Sequence, residues 1–123
     1  MARLSDPWHV LAVKSAARTS EYFQTKLGFE EFLKVEEDGW RFVRRDSCVI
    51  MLGTCPDDVD ARETGCHSYF AYWHVDDPDA LFEEWSASGA MLMGEPADKE
   101  WGMREFGVTT PDGHRIMVGK SIR

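Results

Sequence analysis

Cysteine is scarce and badly spaced for structural use. Cys48, Cys55 and Cys66 are an odd number with no CxxC pair. That argues against a disulfide framework and a zinc knuckle, and for inert thiols in a reducing cytoplasm. Long apolar runs are also missing. "CVIMLG" is the longest strongly apolar stretch, far short of the roughly 20 residues that span a bilayer. The opening "MARLSDPWHV" has no continuous apolar core, so it does not read as a secretory signal. Positive charge is in deficit: 14 Lys and Arg face 22 Asp and Glu, a net −8. Such a surface disfavours nucleic acid and anionic membranes and draws in cations. No glycine-rich phosphate loop, Ser–His–Asp signature or paired-carboxylate motif stands out, so no catalytic residue is expected.

What remains is enough for one domain, since 123 residues can bury a real core. The chain has one plan used twice. In the first half the apolar stretch "WHVLAV" precedes a helix from Ala16 to Lys26, with Ser15 as N-cap and Gly28 as C-cap. Three strands follow, "EEFLKVEE", "WRFVRR" and "CVIML", joined by turns at "EDG" and "RDS". In the second half the strand "YFAYWHV" precedes a helix in "DDPDALFEEWSASGA", with Asp77 as N-cap, Pro78 in the first turn and Gly89 as C-cap. Leu81, Phe82 and Trp85 form its buried stripe. The strands "AMLMG", "REFGVTT" and "HRIMVG" complete it. Module one covers about 1–54, an acidic linker about 55–67 and module two about 68–123, within a single α+β domain.

This doubled βαβββ plan resembles the vicinal oxygen chelate superfamily, which includes glyoxalases, dioxygenases and bleomycin resistance proteins. The last are the nearest in pattern. "MARLSDPWHVLAVKSAARTSEYFQTKLGF" matches their start, "VEEDGWRFVRRD" their second hairpin and "DALFEEW" their second helix. "EWGMREFGVTTPDGHRIMVG" is similar to their C-terminal segment, with Met103 as an apparent insertion. The resemblance implies curved mixed sheets around a cleft, and a homodimer whose grooves draw on both chains.

The stretch "GCHSYFAYWHV" carries a cysteine, two histidines and a run of aromatics, which raises the question of a metal. The resemblance implies ligand positions at Trp8, Phe70 and Met117, none of them an ordinary metal ligand. Strand alternation turns His9 toward the helix side. His67 sits at the linker edge, and His114, after the "PDG" turn, is expected to be exposed. His74 has no visible second ligand. No metal and no cofactor are therefore expected.

In place of ligands the implied cleft face carries Trp8, Phe70, Tyr72 and His74, with Met117 nearby. Trp40 and Phe42 join from a hairpin, Phe32 reaches the same groove and Trp101 closes it. Arg44 and Arg45 read as a solvated strand end, and Arg104 and Glu105 as pairing with neighbours. The expected function is metal-free binding of an aromatic, cationic small molecule, antibiotic sequestration of the bleomycin-resistance type. Two alternatives stand beside it. One is a metal-dependent lyase, isomerase or dioxygenase of the superfamily, using His74, Glu105 and a linker residue. The other is a module for an unrelated metabolite.

Overall fold

The computed structural model describes residues 1–35, 37 and 39–123. The chain divides into two compact units, Met1–Asp58 and Val59–Arg123. Both follow the strand, helix, three-strand order that the sequence predicts.

In the first unit, β1 (His9–Val13) leads into α1 (Ala16–Lys26), then β2 (Glu30–Val35), β3 (Trp40–Arg45) and β4 (Cys48–Thr54). The sheet order is β1-β4-β3-β2, with β1 parallel to β4 and the other pairs antiparallel. Ser15 caps α1 by accepting the Arg18 N–H at 3.2 Å. The C-cap is Leu27, and Gly28 follows in the left-handed region at φ +77°. The cap thus falls one residue before the expected Gly28, which instead makes the turn that Cβ would strain. The expected "EDG" turn includes Asp38, and the expected reach of β2 to Glu37 includes Glu36; both residues lie outside the described ones. The β3–β4 hairpin turns through Asp46 at φ +51°, a conformation that Asp tolerates better than most residues.

Alternation sorts the first sheet. Leu11, Val13, Val43, Ile50 and Leu52 are buried with Phe23 and Leu27 of the helix end. Each fully buried side chain of this kind contributes about 1.5–3 kcal/mol. His9 pairs in register with Ile50, on this same side, as the sequence predicts, and burial lowers its pKa. Arg45 is a correction. It is half-buried, and its Nη1 donates to the Leu27 carbonyl at 2.7 Å, satisfying a helix-end acceptor. Arg44 is exposed as expected but pairs with Glu30 at 2.8 Å and lies 4.5 Å above the Phe32 ring.

In the second unit, short 3-10 turns at Ala61–Glu63 and Gly65–Ser68 occupy part of the expected linker. They precede β5 (Tyr69–His74), α2 (Pro78–Ser88), β6 (Met91–Asp98), β7 (Met103–Thr109) and β8 (Arg115–Ser121). The sheet order is β5-β8-β7-β6. Asp77 caps α2 by accepting the Ala80 N–H at 3.0 Å, and Gly89 ends it at φ +84°. Trp85 is 2% exposed and packs edge-on against Phe106, so it is core as predicted. β6 runs past its expected end at Gly94. The register shifts between Met93 and Ala97, and Gly94 at φ +77° lets the strand bulge and resume. Arg104 leaves β7 to clamp Asp79 of the first turn of α2, through two bonds of 2.8 and 3.0 Å, and Asp98 of β6 at 3.0 Å. These bonds hold the Asp79 carboxyl below its ordinary pKa. Among the described residues no helix is long and apolar enough to cross a membrane.

Candidate functional site

On the first sheet, the face away from the α1 core carries an aromatic cluster. Phe42 is its centre. Trp8 meets Phe42 at 6.3 Å and Phe32 at 6.2 Å, Phe32 meets Phe42 at 6.0 Å, and Trp40 meets Phe42 at 6.3 Å. All four contacts are edge-to-face, the arrangement that the ring quadrupole favours. A β-bulge in β2 between Glu31 and Leu33 accompanies this placement of Phe32. Trp40 stands opposite Gly53 in the β3–β4 register, and its benzo ring lies over that glycine. Trp8 is 47% exposed, and Phe32, Trp40 and Phe42 are half-buried. The structure thus gathers the four first-half candidates on one face.

The second unit carries the other five. Tyr72 and His74 share a face, with rings 5.5 Å apart. Tyr72 pairs in register with Met117, whose sulfur packs over Gly107 opposite that of Met93. Phe70 sits where the β5–β8 register shifts, and its ring meets His114 at 6.1 Å. His114 corrects the expectation of exposure. It is half-buried, and its Nδ1 lies 3.0 Å from Thr110 Oγ1. Trp101, in the β6–β7 turn, is 56% exposed.

The residue that sequence reasoning undervalued is Glu105. It is only 5% exposed, and its Oε1 accepts the Trp101 indole N–H at 2.8 Å and the Tyr72 hydroxyl at 3.3 Å. Tyr72 crosses Gly119 to reach it, in space that a Cβ there would fill. Partial burial, the Glu105 charge and this hydrogen bond push the Tyr72 phenol up to about 12. The available signal was alternation: Glu105 falls between the clamp residue Arg104 and the core residue Phe106, on the face opposite Trp85.

The sequence matches the profile of the Glyoxalase/Bleomycin resistance protein/Dioxygenase superfamily over residues 7–118. The chain belongs to this superfamily. Its fold is shared by a bleomycin resistance determinant encoded on the transposon Tn5, at TM-score 0.79 and 16% identity, covering 96% of this chain and 98% of that one. A bleomycin-binding protein complexed with bleomycin matches at TM-score 0.77 and 17% identity, covering 96% and 99%. TioX from Micromonospora sp. ML1 matches at TM-score 0.70 and 22% identity, covering 94% and 98%. At these identities the likeness is one of fold. No curated protein matches the sequence.

The positions that the resemblance implies for metal ligands hold Trp8, Phe70 and Met117. An indole and a phenyl ring offer a metal no lone pair, and one thioether does not make a site. Among the described residues no three His, Cys, Asp or Glu side chains stand together as a metal would need. The residues present therefore do not fit a metal at these positions, and the chemistry they offer is stacking, dispersion and one buried carboxylate.

Proposed function

We propose that this chain binds a flat, cationic aromatic compound of the bleomycin type and holds it without chemical change, acting as a homodimer. The observation that carries the reading is the set of large aromatic side chains left open to solvent. Trp8, Tyr72 and Trp101 are 47%, 38% and 56% exposed, each on a sheet face or turn rather than in a helix-backed core. Leaving such surface in water is unfavourable unless a partner covers it. Aromatic faces stack on heteroaromatic rings and attract cations. The net charge of −8 raises the encounter rate of a basic ligand.

The test is calorimetric titration with a bleomycin-class glycopeptide, on wild type and on Trp101→Ala and Trp40→Ala. Each truncation should weaken binding by about 2 kcal/mol, roughly thirtyfold, while melting stays near normal. Wild-type affinity should fall with salt. Sedimentation in the same buffer should give a dimer. No heat with wild type would refute the drug class, and unfolding of both variants would assign these tryptophans to the core.

A further inference from the structure

A carboxylate removed from water needs strong compensation, ordinarily a cation or several hydrogen-bond donors. Glu105 has neither in full. Its two donors are neutral, and both reach the same oxygen, Oε1. Among the described residues no donor reaches Oε2 and no Lys or Arg pairs with the group. The guanidinium of the preceding residue is committed to Asp79 and Asp98. No described buried side-chain oxygen or nitrogen is both sealed from solvent and unpaired, so Oε2 keeps an opening. Both donors to the carboxylate are aromatic side chains. The Trp101 indole is tied to Glu105 through its N–H, and the Tyr72 ring through its hydroxyl. Gly119, lacking a side chain, leaves the room that the Tyr72 hydroxyl occupies on its way to Glu105.

We propose that the Glu105 carboxylate is the anionic anchor of a binding site for a cationic N–H donor, an ammonium or guanidinium group, with Tyr72 and Trp101 as its aromatic walls. In this site Oε2 accepts the charged donor, and the two rings add cation–π attraction. Oε1 meanwhile fixes the indole, so that the stacking surface is set before the ligand arrives. The proposal rests on the small-molecule reading above and specifies which charge on the ligand is recognised.

The test uses two probes of nearly equal shape, naphthylmethylamine, which is cationic at neutral pH, and uncharged naphthylmethanol. Binding is followed on the Trp101 indole N–H resonance in the full chain. Wild type should prefer the amine by about tenfold or more, the scale of a hydrogen bond to a charged group. Glu105→Gln keeps an oxygen for Trp101 and Tyr72 but removes the charge, and should abolish that preference by weakening the amine. Equal affinity of wild type for both probes, or no binding of the amine, would overturn the anchor, as would an amine preference that survives in Glu105→Gln. If that variant does not fold, the wild-type preference decides alone. Glycopeptide binding with equal probe affinities would sink the anchor and spare the proposed function. An amine preference without glycopeptide binding would do the reverse.

Discussion

Replacing Gly53 by Ala should act through one ring. A Cβ at Gly53 would stand 3.0, 3.1 and 3.2 Å from Cη2, Cζ3 and Cζ2 of Trp40. Ordinary carbon contacts lie at about 3.5–4.0 Å, so the indole must lift by roughly half an ångström. Overpacking of this kind costs about 1–3 kcal/mol, and the lower end applies because Trp40 is half-buried and can tilt outward. The backbone itself gains. Gly53 is not in the left-handed region, and Ala in a strand interior is better than Gly by about 0.5–1 kcal/mol. Gly53→Ala alone should therefore be close to neutral. In a Trp40→Ala background the ring is gone and only the gain remains, so the same change should stabilise by about 0.5–1 kcal/mol. The coupling across the double-mutant cycle should be about 0.5–1 kcal/mol, above the few tenths expected of independent sites. Urea unfolding of the four proteins measures it, with unchanged m-values as the control. An effect of Gly53→Ala that is the same in both backgrounds would mean that the indole does not rest on this glycine.

The Tyr72 phenol, pushed up to about 12, should titrate late in ultraviolet absorbance and move back toward its ordinary 10 in Gly119→Ala, where the new methyl displaces the hydroxyl from Glu105. Because the folded pKa is the higher one, the corresponding stability is present below pH 10 and lost as pH rises from there through about 12, and an unfolding midpoint flat across that window would contradict the contact. Trp85→Ala, in contrast to the Trp101 variant, should cost about 3–5 kcal/mol in the same urea assay, since the ring is fully packed against Phe106.

Local order was legible in the sequence because local physics sets it. Ser15 and Asp77 mark helix starts by offering an oxygen to free N–H groups, and both do so here. Period-two alternation separates His9 from Trp8, since neighbours on a strand face opposite ways. The same rule puts Trp40 and Phe42 on one face of β3 before any contact is known. Local signals also misled. The strand "AMLMG" reads as ending at Gly94, but a bulge absorbs the glycine and β6 continues to Asp98.

Contacts across register were decided only by the tertiary structure. Tyr72 and Glu105 are 33 residues apart, and they meet because β5 and β7 both flank β8 and Gly119 between them has no side chain. Arg45 reaches the Leu27 carbonyl only once the β3–β4 hairpin is laid beside the end of α1. Arg104 finds Asp79 only when α2 packs on its sheet. Alternation fixes the side of a sheet to which a residue points, because that depends on one strand alone. Strand order and register determine what it meets there, and those depend on how distant segments cross.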